Sequence, residues 1–191
     1  MKRAISEMLK HDDKTLTLPN LISISRLIFL PFIIIQLGYN TMRGNLIVIF
    51  LMVLSGLTDY IDGFLARKMN LRSNLGRMLD PLVDKINIGV IFIFLSIYRT
   101  LPFWFVLMVI ARDAIILTAS LHLISKARRI GESNLLGKYT LVSYIMVMLS
   151  FVFQIPVFSS VILAISAILT PISLFKYFKI YKNIVGKKNQ H

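Results

Sequence analysis

Five of the nine acidic residues in this 191-residue chain stand inside apolar stretches or at their ends. They are Asp59, Asp62, Asp80, Asp84 and Asp113. A carboxylate at the centre of a membrane helix costs about 2.5–3.5 kcal/mol on insertion scales, so acids in such positions call for a function. Asp59 and Asp62 are three residues apart and Ala66 follows four later. On a helix all three fall on neighbouring parts of one face. Asp80 and Asp84 are four apart, with Gly76 four residues before them. The connector 67–77 is short enough to make the two helices antiparallel neighbours, which brings both pairs to one end. Four carboxylates there would repel one another, whereas two divalent cations would neutralise them. An all-oxygen donor set selects Mg²⁺ or Mn²⁺ over zinc. Two such ions about 3.5–4 Å apart serve phosphoryl transfer by clamping attacking and leaving oxygens. Gly63 and Ala66 leave room for a ligand or a second backbone.

The elements that must position these acids are apolar helices. Hydrophobic residues make up 56% of the chain and charged residues 16%, and the formal net charge is +13. With no cysteine, disulfide scaffolds, thiol catalysis and Cys-based metal sites are excluded. Six stretches approach the roughly 20 apolar residues a bilayer requires. They run over 25–39, 45–65, 81–98, 102–125, 139–158 and 159–178, the first being short unless it takes in 19–24. None alternates as a strand would. Of the 22 basic residues, 17 fall before the first stretch, between the second and third, between the fourth and fifth, or from Lys176 at the end of the sixth onward. Only Arg43 and Arg99 fall in the remaining loops. By the positive-inside rule both termini are cytoplasmic. Topology and attraction to anionic lipid account for the charge, so nucleic-acid binding is not required. The expected fold is all-α and polytopic, with six transmembrane helices. Residues 1–18 form a cytoplasmic lead-in without a signal peptide, 19–182 a single transmembrane domain, and 183–191 a basic cytoplasmic tail. Pro19–Ser23 reads as a turn into an N-terminal interfacial helix.

The segment Asp59-x2-Asp62-Gly63-x2-Ala66-Arg67-x8-Gly76-x3-Asp80-x3-Asp84 resembles the signature of the CDP-alcohol phosphatidyltransferase family at all eight positions and all spacings. The resemblance implies that Asp59 and Asp80 bridge two metal ions, Mg²⁺ or Mn²⁺, with Asp62 completing one and Asp84 the other. It implies that Asp84 is also the general base. Gly63, Ala66, Arg67, Ser73 and Gly76 resemble the positions that hold CDP-diacylglycerol, and Asn20 and Ser23 the pair that closes over the nucleotide. The implied reaction transfers a phosphatidyl group to a polar or lipid alcohol and releases CMP. It takes place at the cytoplasmic face of a bacterial inner membrane, among membrane lipids, in a homodimer. Asp80-Pro81-Leu82-Val83-Asp84-Lys85 and Pro19–Ser23 resemble the phosphatidylglycerophosphate synthase and cardiolipin synthase branches. The first implies sn-glycerol 3-phosphate as acceptor, the second phosphatidylglycerol. Gly137-Lys138-Tyr139-Thr140 resembles the glycerophosphate-using enzymes, while Ala111-Arg112-Asp113 is closer to the cardiolipin branch.

Other readings compete at several positions. Arg112 and Lys138 are the available cations for an acceptor phosphate. Equally, Arg112 could pair with Asp113 inside the membrane, and Lys138 could extend its amine to the interface. Arg67 could be an ordinary topological anchor, and Asn20 and Ser23 a helix cap. His122, without a partner at metal-like spacing, reads as packing. A cation transporter would also bury carboxylates, but such sites favour the midplane and internal repeats, and here the acids flank a basic loop.

Overall fold

The computed structural model describes residues 18–68, 74–127 and 135–188, and it is helical throughout them apart from short turns. Six helices follow in order: α1 Leu18–Tyr39, α2 Met42–Lys68, α3 Asn74–Tyr98, α4 Phe103–Ala127, α5 Leu135–Val152 and α6 Pro156–Lys188. The chain divides into two compact units within α3, between Phe94 and Leu95. Among the described residues, α4, α5 and α6 contain stretches long and apolar enough to cross a membrane: Phe103–Ser120, Leu135–Val152 and Pro156–Lys182. Shorter apolar stretches occupy Leu27–Tyr39 and Met42–Thr58.

In the first unit α1 packs on α2. Leu30, Ile33 and Leu37 form a buried stripe on α1, opposite Asn45 and Val48 of α2. Spacings of three and four keep each set on one helix face. The helices reverse direction at Asn40, whose φ of 48° is one that asparagine tolerates better than most residues. Thr41 then caps α2: its Oγ1 accepts the Gly44 N–H at 3.0 Å, the usual service of an N-cap hydroxyl to the third helical residue. A Cβ on Gly44 would lie 3.0 Å from the Gln36 carbonyl oxygen, so the close approach of the two backbones depends on glycine. Large apolar side chains on the other faces, including Ile28, Phe32, Phe50 and Val53, are exposed. That arrangement suits contact with lipid.

The second unit packs α6 against both α4 and α5. Its core is Phe105, Val106 and Val109 from α4 with Tyr144, Val147, Met148 and Phe151 from α5. α6 contributes Ser159, Ser166, Thr170 and Ser173, all buried. Small hydroxyl residues at that spacing let helices approach closely and bond across the contact. Tyr144 Oη lies 3.0 Å from Thr170 Oγ1, and Ser159 Oγ donates to the Ser150 carbonyl at 3.0 Å. Two reversals shape this unit, each with a residue in the left-handed region: Thr100 at φ 60° and Gln154 at φ 54°. At the first, the Leu101 N–H reaches back six residues to the Leu95 carbonyl at 3.4 Å, and Leu95 and Leu101 are both buried. The second is a Schellman ending formed without the usual glycine: the Ile155 N–H bonds the Ser150 carbonyl at 3.1 Å and the Gln154 N–H the Phe151 carbonyl at 3.3 Å.

Several expected boundaries move. Pro19–Ser23 do not form the expected turn: α1 is continuous from Leu18. Likewise α3 begins at Asn74, ahead of the apolar run that opens at Pro81. Hydropathy placed the last reversal at 158–159, whereas it falls at 153–155 with Pro156 opening α6. Proline at the first helical position loses no intrahelical bond, and that local preference overrides a continuous apolar run. α6 also stays helical to Lys188, through most of the stretch read as a basic tail. The lead-in 1–17 and residues 189–191 lie outside the described residues.

Candidate functional site

The acidic signature occupies consecutive helices of the first unit. Asp59, Asp62, Gly63, Ala66 and Arg67 lie on the last turns of α2, which ends at Lys68. Gly76, Asp80 and Asp84 lie on the first turns of α3, which begins at Asn74. Six Cα steps separate Lys68 from Asn74, a reach of at most about 22 Å even fully extended. The chain therefore tethers the two acidic helix ends near one another. α2 carries its acids at relative positions 0 and 3, and α3 at 0 and 4, so each pair shares a helix face. Ser73 lies outside the described residues, and so do the side chains of Asn20, Ser23, Asp59, Asp62, Gly63, Ala66, Arg67, Gly76 and Asp80. Asn20 and Ser23 both fall on α1.

Asp84 is the signature acid whose side chain is described, and it is half-buried beside the buried Val83. One turn further along α3 stands Asn87, which sequence reasoning missed. Its Oδ1 is buried without a hydrogen-bond partner, and a position three residues on shares a face with Asp84. The signal was there: an amide in the apolar run that follows Lys85. Among the described residues no group of three or more His, Asp or Glu comes together, three of the four signature side chains being outside that set. The donor chemistry nonetheless fits hard divalent cations, because the four signature positions offer carboxylate oxygens and neither nitrogen nor sulfur.

The two candidate cations for an acceptor phosphate belong to the second unit and differ sharply. Lys138 is exposed near the start of α5. Arg112 is buried at 6% exposure. Its NH1 donates to Asp113 Oδ1 at 2.6 Å and its NH2 to Ser173 Oγ at 2.9 Å. The guanidinium carbon also stands 5.7 Å from the centre of the Tyr144 ring, within cation–π range. Only Nε of this guanidinium is buried without a partner. The pairing with Asp113 that the sequence allowed is thus formed, and it neutralises Arg112. Further along the same helices Ser120 Oγ meets Tyr177 Oη at 2.5 Å. The His122 ring lies 6.1 Å from that of Tyr181, as a packing residue would.

Comparison with known proteins agrees with the signature. The sequence profile described as CDP-alcohol phosphatidyltransferase matches residues 16–172. A cardiolipin synthase (CMP-forming) of Streptomyces coelicolor is 33% identical over 141 residues, covering 70% of this chain and 64% of that protein. The human cardiolipin synthase (CMP-forming) is 35% identical over 127 residues, which cover 64% of this chain and 40% of the relative. A CDP-diacylglycerol–glycerol-3-phosphate 3-phosphatidyltransferase of Rickettsia felis is 28% identical over 172 residues, 86% of this chain and 95% of the relative. The chain therefore spans less than two thirds of the two cardiolipin synthases and nearly all of the Rickettsia protein.

Proposed function

The chain belongs to the CDP-alcohol phosphatidyltransferase family, and from that premise we propose that it transfers the phosphatidyl group of CDP-diacylglycerol to sn-glycerol 3-phosphate, forming phosphatidylglycerophosphate and releasing CMP. The observation that supports this reading is the register of Asp59 and Asp62 on the last turns of α2 and of Asp80 and Asp84 on the first turns of α3. Asp59, Asp62, Asp80 and Asp84 would together hold two divalent ions, Mg²⁺ or Mn²⁺. Bound there, such ions would offset the four carboxylates and supply positive charge to the transferring phosphoryl group. Asp84 orients the acceptor hydroxyl and takes its proton as the new P–O bond forms and the bond to CMP breaks. Arg67 meets the diphosphate, for which a planar guanidinium is suited. Asn20, Ser23, Gly63, Ala66, Ser73 and Gly76 complete the nucleotide-lipid site. The acceptor phosphate requires a cation, and Arg112 or Lys138 would provide it.

A second acceptor, phosphatidylglycerol, is favoured by one observation: Arg112 is already neutralised by Asp113. An acceptor without a free phosphomonoester has less need of that guanidinium. CMP release from CDP-diacylglycerol and Mg²⁺ by the purified chain, with either acceptor supplied alone, decides between them. No release with any alcohol from a folded, metal-loaded protein refutes the reading.

The same proposal places six spans in the cytoplasmic membrane, with both termini and the acidic helix ends at the cytoplasmic face, in a homodimer. The distribution of basic residues supports it. Because the chain has no cysteine, single cysteines introduced at Lys2 and at Arg43 can be tested for labelling by an impermeant maleimide in intact cells. Only the second is expected to react, and the reverse would invert the topology.

A further inference from the structure

The apolar run that follows Lys85 on α3, residues 86–95, contains a single amide, Asn87. Its Oδ1 is shut off from solvent and has no hydrogen-bond partner. An amide in a membrane helix ordinarily bonds to a neighbouring helix, because a polar group left alone in apolar surroundings keeps the cost of its lost hydration. Helix geometry places this one. At about 3.6 residues per turn, Asp80, Asp84, Asn87 and Ile91 fall within an arc of about 60°, with Asn87 one turn further along than Asp84. Ile91 at the end of this strip is buried, as is Val83 beside it, whereas Leu82 and Ile86 on the opposite side of the helix are exposed. Asn87 thus stands on the acid-bearing, packed face of α3. Ionised carboxylates only accept hydrogen bonds, so neither Asp80 nor Asp84 can satisfy a carbonyl oxygen. A hydroxyl that joins this face from outside the chain can.

Granted the phosphatidyl transfer proposed above, we propose that Asn87 is a specificity-determining residue: its Oδ1 accepts a hydrogen bond from a second hydroxyl of the acceptor, on the carbon next to the one whose hydroxyl Asp84 orients. The acceptor class is then a vicinal diol. Side chains three apart on a helix stand about 5–6 Å from one another at Cβ, a spacing at which each can hold one of two oxygens on neighbouring carbons. sn-Glycerol 3-phosphate and the glycerol headgroup of phosphatidylglycerol both carry that pair, so Asn87 serves either acceptor alike. An oxygen already stripped of water gives up nothing when a donor arrives, and the hydroxyl adds to binding nearly its full strength. An acceptor lacking the hydroxyl leaves the oxygen orphaned, which is how a site rejects an analogue that misses one polar group.

The test measures kcat/KM for CMP release by the purified full chain with CDP-diacylglycerol and Mg²⁺, using acceptors in matched pairs. sn-Glycerol 3-phosphate is set against 3-hydroxypropyl phosphate, which lacks only the middle hydroxyl, and phosphatidylglycerol against phosphatidyl-1,3-propanediol. In the pair whose diol it uses, wild type is expected to prefer the diol by at least about tenfold, equivalent to roughly 1.4 kcal/mol. Asn87→Leu removes the oxygen at similar volume. It is expected to use the two members of that pair within about twofold of each other, by losing activity with the diol and keeping it with the deoxy acceptor. A residue with a structural role alone would shift both acceptors together and leave their ratio untouched. Equal use of the diol and its deoxy partner by wild type, or a preference that survives Asn87→Leu, overturns the role of Asn87 and leaves the phosphatidyl transfer standing. The first of these needs no variant, so the folding of Asn87→Leu does not decide the matter. Absence of CMP release with every acceptor, from folded and metal-loaded wild type, overturns the transfer and the role of Asn87 with it.

Discussion

Removing the Asp113 carboxylate should destabilise the chain far more than removing both members of its pair. Arg112 and Asp113 are each 6% exposed and their charged atoms are 2.6 Å apart. In Asp113→Ala the guanidinium keeps the Ser173 hydroxyl and the Tyr144 ring. A hydrogen bond to a charged group contributes about 1.5–3 kcal/mol, and a desolvated cation–π contact roughly 2 kcal/mol. Neither replaces a counter-charge. Breaking a buried pair on one side costs about 3–5 kcal/mol. Side chains in membrane helices also find partners when unfolded, which puts the expectation at the lower end, about 3 kcal/mol. The double replacement Arg112→Met, Asp113→Leu removes both charges together and should cost less than about 1.5 kcal/mol, since apolar substitutes for buried pairs are commonly near neutral. In the matched cycle of wild type, Arg112→Met, Asp113→Leu and the double replacement, the two residues would then be coupled by at least about 1.5 kcal/mol. Unfolding by dodecyl sulfate in mixed micelles, followed by circular dichroism, measures all four species. A loss below about 1 kcal/mol in Asp113→Ala, or strict additivity in the cycle, would show that the pair is not held in a dry interior. The same variants separate structure from acceptor binding. If Arg112 serves an acceptor phosphate, Arg112→Ala raises the apparent KM for glycerol 3-phosphate in addition to lowering stability. If it serves Asp113 alone, stability falls and KM stays.

Four further outcomes follow from particular residues. Asp84→Asn should abolish CMP release with the helical circular dichroism spectrum retained, and turnover near the wild-type level would remove its role as base. Gly44→Val should cost about 1–3 kcal/mol, because even a Cβ meets the Gln36 carbonyl oxygen at 3.0 Å; an unchanged unfolding midpoint would deny the close approach of α1 and α2. Thr100→Gly should stabilise by about 1 kcal/mol by relieving a left-handed backbone at the end of α3, read as a raised midpoint. Asn87→Leu deletes a buried oxygen that has no partner. It should raise the midpoint by the equivalent of about 1–3 kcal/mol while lowering turnover, and a gain in both would detach Asn87 from the chemistry of Asp84.

What the sequence yielded and what it withheld follow from the range of the forces involved. The existence of each helix was readable because hydropathy is a sum over some twenty residues, and no single misplacement changes it. Helix ends are decided by one or two residues, and there the reading slipped. Pro156 opens α6 inside an unbroken apolar run, and the acid-bearing first turns of α3 precede its apolar stretch. The carboxylate signature was legible because its information lies in spacing along the chain, which helices preserve. The state of Arg112 was not, because Ser173 and Tyr144 reach it across 61 and 32 residues of sequence. The sequence left two alternatives for Arg112, with acceptor binding ahead, and a contact with its own neighbour Asp113 favours the interior one.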